Sequence, residues 1–135
     1  MALQLSTTVR NARLDTIEST IGTAPLLRIY SGSMPADCAT AASGTLLAEM
    51  TLPSDWLANA GSGQKAKSGT WQDSSANATG TAGYFRIYDS GGTTCHLQGT
   101  VTATGGGGDL TLDNTSIATA QSVTVSTFTL TDANA

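Results

Sequence analysis

His96 is the only histidine of the chain, and it is the side chain best able to act as a general base near neutral pH. A Ser-His-Asp or Cys-His arrangement would have to use it, and Cys95 lies directly before it. Neighbouring residues of a strand point to opposite faces, so the Cys95 thiol and the His96 ring are not expected to meet. We therefore predict an exposed strand histidine, and a hydrolase with His96 as its base is the rival hypothesis.

Acidic residues and a glycine run could support other chemistry. Asp89, Asp109 and Asp113 could pair as in a glycosidase, but they lie where turns and strand ends are expected, and aspartate is favoured there because it bonds the local backbone. The run Gly105–Gly108 lacks the Lys-Ser/Thr pair of a phosphate loop. A single calcium ion held by Asp109, Asp113 or Asn114 is an alternative to a plain turn. One histidine and two cysteines are too few for the common zinc sites. We predict no catalytic residue, no metal and no cofactor.

The composition disfavours several classes of partner. Charged residues make up 12% of the chain, against about 25% in a typical globular chain. The net charge is −4, and the few Lys and Arg residues are spread along the sequence, whereas a nucleic-acid-binding protein needs clustered positive charge. No apolar run is long enough to cross a membrane, and Leu3 and Leu5 lie too close to polar residues to form the core of a signal peptide. We expect synthesis in the cytosol, with no nucleic-acid or membrane partner.

Cys38 and Cys95 are the only cysteines of the chain. A cytosolic origin favours two reduced, half-buried thiols, because cytosolic thiols are kept reduced. A disulfide between them is the alternative.

The segments that must position these residues read as β-strands. In Cys95–Ala103 the odd positions are apolar and the even positions polar, and in Tyr84–Tyr88 the residues Phe85 and Ile87 alternate with larger polar side chains. This period of two is typical of a half-buried sheet. The glycine run that follows predicts a hairpin connection to Leu110–Leu112.

One domain is expected, because 135 residues suffice for a single core. Its predicted parts are an extended arm at residues 1–5, an amphipathic helix at 6–22 and a sheet body at 26–130. Ser6 can cap the helix and Gly22 can end it. The predicted apolar face of the helix comprises Val9, Leu14, Ile17 and Ile21. The predicted fold class is mainly β: a single-domain antiparallel β-sandwich, jelly-roll-like, with about seven or eight strands and this one N-terminal helix.

Two further local predictions concern irregular segments. Residues 59–68 contain both lysines and no large apolar residue, which predicts an exposed loop. Near the C-terminus, Val123 and Val125 have the opposite parity to Phe128 and Leu130. We predict a bulge near residues 126–127 that resets the alternation. The alternative is that Val125 and Phe128 serve opposite faces, both of them covered.

A short internal echo joins two parts of the chain. Leu27–Ser31 matches Phe85–Asp89, and each copy precedes a glycine-containing loop, a cysteine and a Gly-Thr pair. Our hypothesis is two equivalent hairpins that place Arg28 and Tyr30 on an outer face comparable with that of their counterparts, Arg86 and Tyr88.

The chain resembles small virion structural proteins encoded by tailed bacteriophages. The resemblance is carried by RNARLDTIESTIGTAPLLRIYSGSMPADCATAASGTLLAEMTLPSDW (Arg10–Trp56) and FRIYDSGGTTCHLQGTVTATGGGGDLTLDNTSIATAQSVTVSTFTLTDANA (Phe85–Ala135). It implies a compact β-sandwich or jelly roll that acts as a capsid decoration (cement) protein or another small accessory component. It implies no catalytic residues.

We therefore expect a decoration protein on the outer surface of the head, bound to the major capsid protein or other virion subunits and assembled as a homo-oligomer, a dimer or trimer. Aromatic residues and arginine dominate many interfaces. The predicted interface residues are Leu3, Leu5, Arg28, Tyr30, Met34, Arg86 and Tyr88.

Two rivals are set beside this expectation. A head–tail junction, tail or fibre component would be present in a few copies per particle rather than hundreds. A carbohydrate-binding adhesion module would need an exposed aromatic platform that includes Trp71.

Overall fold

The computed structural model describes residues 3–133 and is mainly β, with 38% strand, one helix and a curled sheet. Helix α1 spans Thr7–Ile21. The strands that follow are β1 Leu26–Ser31, β2 Leu46–Thr51, β3 Gln64–Ala66, β4 Trp71–Asp73, β5 Gly80–Tyr88, β6 Cys95–Ala103, β7 Leu110–Leu112, β8 Ser116–Ile117, β9 Val123–Val125 and β10 Thr129–Thr131. Met1 and Ala2 of the predicted arm lie outside the described residues.

Helix α1 begins and ends where its capping residues predict. The Ser6 hydroxyl accepts a hydrogen bond from the Val9 N–H at 3.2 Å, and Gly22 ends the helix at φ +93°, a value that L side chains rarely adopt. The helix buries Leu14 and Ile21, while Val9 is 45% exposed. The apolar face is therefore shorter than expected, and it covers the core only from the second turn onward.

The main sheet contains two adjacent hairpins, in the strand order β2-β1-β5-β6-β7, with β8 pairing with β5. The two copies of the internal echo lie on β1 and β5, which pair directly, with Arg28 opposite Arg86. The hairpin β1–β2 shifts its register between Ile29 and Tyr30, and β5–β6 shifts at the equivalent place, between Ile87 and Tyr88. The prediction of two equivalent hairpins is thus confirmed.

Two connections differ from the sequence predictions. Strand β7 runs parallel to β6, with Val101 opposite Leu110, so the glycine-rich segment between them is not a hairpin. The C-terminal alternation resets by a complete break at residues 126–128 rather than by a bulge. Strand β9 pairs with β4 and β10 pairs with β3, so Val125 and Leu130 belong to different ribbons.

The prediction of an exposed loop at residues 59–68 is wrong for Lys65. This residue lies in β3 and its side chain is 1% exposed. Its ammonium group contacts the Asp15 carboxylate at 2.7 Å and the Glu18 carboxylate at 2.8 Å, both on α1. Burial lowers the pKa of Lys65, but the hydrogen bonds that its ammonium group donates to these carboxylates raise the pKa by more, so the net shift is upward. This ion pair fixes the helix to the β3–β10 ribbon.

Aromatic side chains link the ribbons to the main sheet. Trp71 packs against Trp56 and Phe128, with ring centroids 6.0 Å and 5.4 Å apart, and Phe128 meets Phe85 edge-on at 5.7 Å. The Trp56 indole N–H donates to the Gly22 carbonyl at 3.0 Å, which ties the helix end to the same cluster.

Candidate functional site

The arginines and tyrosines of the echo share one face of the sheet, opposite the apolar core. The register places Tyr30 opposite Tyr84 and Arg28 opposite Arg86. This face is covered by residues 32–45, the connection between β1 and β2, which we call the strap. Arg86 is 2% exposed and Tyr30 8% exposed.

Arg86 holds the strap through carbonyl oxygens. Its Nη2 donates to the carbonyls of Asp37 at 3.1 Å and Thr40 at 2.7 Å. Its Nε donates to the Gln98 side-chain oxygen at 3.1 Å, and the Gln98 amide donates to the Pro35 carbonyl at 2.9 Å. The planar guanidinium thereby satisfies backbone groups of a segment that has no regular structure of its own.

Tyrosines complete the cluster. The Tyr84 hydroxyl donates to the Ser43 carbonyl at 2.6 Å and accepts from the Ser43 N–H at 3.0 Å. The Tyr30 ring stacks on Tyr84 at a centroid distance of 5.1 Å, and its hydroxyl lies 3.4 Å from that of Tyr88. Burial raises the pKa of Tyr30, so this hydroxyl stays protonated over the physiological range.

The predicted interface residues differ in how far the fold buries them. The expectation of an open outer face is wrong for Tyr30, Arg86 and Tyr88, because all three side chains are buried in the fold. Arg28 is half-buried, with its Nε 2.6 Å from the Glu49 carboxylate.

The remaining three predicted interface residues are accessible to different degrees. Leu3 is 83% exposed and Met34, on the strap, is 38% exposed. Leu5 is half-buried.

No arrangement for nucleophilic catalysis forms around His96 in the described part of the chain. His96 is exposed and lines a shallow depression with Thr16, Thr20 and other residues of α1. Cys95 lies opposite Tyr88 and faces the strap. The two neighbours thus point apart, as their positions on one strand predict.

The carboxylates of the turns are engaged locally. Asp89 accepts from the Thr93 N–H at 2.9 Å, and this bond lowers the pKa of Asp89. Asp109 accepts from the Thr100 N–H at 2.9 Å and from its hydroxyl at 3.0 Å. Among residues 3–133, no group of three or more His, Cys, Asp or Glu side chains could hold a metal ion.

A cleft of about 420 Å³ separates β6 from β10, and we call it the seam. Its lining residues are Phe85, Leu97, Gln98, Gly108, Asp109, Phe128, Thr129, Leu130 and Thr131. Its lining combines apolar side chains, among them Phe85, Leu97 and Phe128, with polar ones, and its only charged residue is Asp109.

Unpaired strand edges border the seam on both sides. In the β3–β10 ribbon the hydrogen-bonded positions include Phe128 and Asp132, so the backbone groups of Thr129 and Thr131 point away from β3. In β6 the Thr100 N–H points toward Asp109, away from β5, and the backbone groups of Gln98 follow the same direction two residues earlier. Within residues 3–133 no strand pairs with β10 on the side away from β3, and β6 pairs on the side away from β5 only at Val101–Ala103, with β7.

The platform required by a carbohydrate-binding module is missing at Trp71, which is 0% exposed. Its indole N–H donates to the Ser68 carbonyl at 3.1 Å, and its ring belongs to the core. The feature that the carbohydrate-binding alternative would need is therefore absent at Trp71.

No helix within the described residues is both long and apolar enough to cross a membrane. No family model matches the chain, and no curated protein or solved structure matches it either.

Proposed function

We propose that this chain is a structural virion protein of a tailed bacteriophage, a capsid decoration protein that binds the outer surface of the head and works by adhesion rather than catalysis. The finer architecture in this proposal is a jelly-roll-like sandwich assembled as a dimer or trimer. The resemblance of its sequence to small virion proteins supports the assignment to a particle.

The main structural support for an adhesive role is the seam. The cleft lies between two strand edges that no described strand pairs at these positions, and an extended segment entering between them could pair with Gln98 on one side and with Thr129 and Thr131 on the other. Such strand addition obtains affinity from main-chain hydrogen bonds and selectivity from alternate side chains. The occupant in this proposal is an extended segment of the major capsid protein.

The surface of the seam fits this use. Proteins usually protect exposed strand edges with lysine, proline or charged side chains. None of the residues that line the seam is lysine, arginine or proline. The side chains of Thr129 and Thr131 are exposed, so a strand could approach them from solvent.

The test uses heads of the encoding phage from which the chain has been removed. Purified protein is added back, and bound copies are counted by cryo-electron microscopy and quantitative gels. Thr129→Lys and Thr131→Lys place a charge at the seam, and Thr124→Lys places the same charge at an exposed position of β9. We expect the seam variants to bind at least about tenfold more weakly and the β9 variant to bind as the wild type does.

The copy number per particle distinguishes a decoration protein from the alternative virion components. Hundreds of copies on the head surface support a decoration protein, and a few copies at a tail or junction would replace it with a tail component. Equal binding by Thr131→Lys and wild type would remove the seam from the interface.

A further inference from the structure

The strap and β6 each contribute a cysteine to the same side of the sheet. Arg86 holds the carbonyls of Asp37 and Thr40, the residues on either side of Cys38 and Ala39, at 3.1 Å and 2.7 Å. Cys95 opens β6 opposite Tyr88 and faces the strap. The register thus places Cys95 on the face of the sheet that the Cys38 segment of the strap covers, and both thiols are free and half-buried. The interaction with Cys38 contributes to the raised pKa of Cys95.

We propose that Cys38 and Cys95 form a disulfide that locks the strap onto β6 once the folded chain meets an oxidising medium. The sequence alone favours reduced thiols, but the fold places both cysteines on the same side of the sheet before any oxidation takes place. The bond would close a long loop of the chain and fix the cover over the Arg86 cluster.

Oxidised glutathione, a small disulfide, supplies the oxidant in this step. The Cys38 thiolate attacks one sulfur of glutathione disulfide and releases one glutathione. The Cys95 sulfur then attacks the mixed disulfide at Cys38, its proton passes to the departing second glutathione, and the protein disulfide forms. Two protein thiols lose two electrons and two protons, and one glutathione disulfide becomes two glutathione molecules.

The order of attack follows from the surroundings of the cysteines. Burial, followed by the contact with Cys38, raises the pKa of Cys95 to about 11, so its thiol is almost fully protonated near neutral pH. The first attack therefore falls to Cys38, on the strap, which is partly accessible to solvent. Cys95 acts only after Cys38 has bound glutathione beside it.

The experiment treats the folded wild-type protein with glutathione disulfide, blocks free thiols and digests it with trypsin without reduction. Trypsin cleaves after lysine and arginine, so Cys38 lies in the peptide 29–65 and Cys95 in the peptide 87–135. We expect a linked pair of these peptides in monomeric protein, lighter than the sum by two hydrogens. The oxidised protein should melt about 10 °C higher than the reduced one, because a long loop is closed.

The matched control moves the second thiol by one residue. In Cys95→Ser with His96→Cys the new thiol lies beside α1, away from the strap. Its cross-link to Cys38 should form about tenfold more slowly, because disulfide geometry is specific. Cys38→Ser should show no oxidation-dependent change in melting temperature. Glutathione adducts at both cysteines without a linked peptide, or equal cross-linking in the moved-thiol variant, would overturn the proposal.

Discussion

Two regions of the molecule bury a cation, and they compensate its lost hydration by different means. Lys65, between α1 and β3, is 1% exposed and contacts two carboxylates, at 2.7 Å and 2.8 Å. Arg86, under the strap, is 2% exposed and contacts carbonyl and amide oxygens. Within residues 3–133 Arg86 forms no ion pair.

The difference lies in what each cation organises. Lys65 joins two regular elements whose own backbone hydrogen bonds are already made, so its role is to fix α1 on the ribbon. Arg86 satisfies carbonyls of a segment that has no ladder, so the path of the strap itself depends on it. A lysine–carboxylate group titrates at both ends of the pH scale, whereas an arginine among carbonyls does not.

Removal of Arg86 should produce the largest effect. Arg86→Ala leaves the Asp37 and Thr40 carbonyls and the Gln98 amide without their donor, and it opens a cavity. We expect a loss of about 4 kcal/mol in the free energy of unfolding, measured by urea denaturation. Hydrogen exchange of residues 32–45 should accelerate at the same time.

Arg86→Lys is the matched control for this prediction. It keeps the charge and most of the volume but loses the fork that reaches three acceptors, so about half of the destabilisation should remain. Equal stability of Arg86→Ala and wild type, or unchanged exchange in the strap, would show that the strap folds independently of Arg86.

Elements with a local sequence pattern could be predicted from the sequence alone. The alternation in Cys95–Ala103 predicts β6 with the bounds that the structure has, because period two reports burial of a strand face directly. The echo predicts the paired hairpins, because it repeats both the strand and the turn. The caps at Ser6 and Gly22 predict α1 for similarly local reasons.

Other features depend on contacts between distant residues and left no local pattern. Lys65 reads as a loop lysine, because its carboxylate partners lie on the helix. The burial of Tyr84 and Arg86 depends on a strap whose sequence is rich in small and polar residues. The seam depends on the spacing of β6 and β10, which no single strand specifies. One signal was present: large side chains at Tyr84, Arg86 and Tyr88 alternate with apolar ones, as in a strand covered on both faces.

A smaller effect is expected at Lys65, whose contribution to stability should depend on pH, unlike that of Arg86. Lys65 has a raised pKa, so its contribution is present below its ordinary value of 10.5 and is lost as the pH rises through the folded-state value. Asp15 has a lowered pKa, chiefly through its bond to Lys65, so its contribution is present above 3.8 and is lost as the pH falls through the folded-state value. Lys65→Met should cost about 1–2 kcal/mol near neutral pH, and its difference from wild type should shrink at both extremes.

Lys67→Met serves as the control for this profile. Lys67 lies two residues away, donates to the Gly69 carbonyl at 2.6 Å and forms no ion pair within the described residues. Its difference from wild type should vary less than that of Lys65→Met in thermal melting from pH 3 to pH 11, because no carboxylate among the described residues pairs with Lys67. A constant difference for Lys65→Met would mean that the ion pair does not couple to folding.

The smallest expected effect tests the far end of the strap. Tyr84→Phe removes the hydroxyl that bonds both backbone groups of Ser43, while the ring keeps its stacking on Tyr30. We expect a loss of about 1–2 kcal/mol, because the Ser43 groups are partly buried and lose their partner. Tyr30→Phe removes a hydroxyl whose contact with the Tyr88 hydroxyl is long, at 3.4 Å, and it should cost less. Denaturation of the two variants compares a hydroxyl that fixes the strap with one that only fills the cluster. Equal losses of stability in the two variants would mean that the Tyr84 hydroxyl does not hold the strap and that Arg86 alone does.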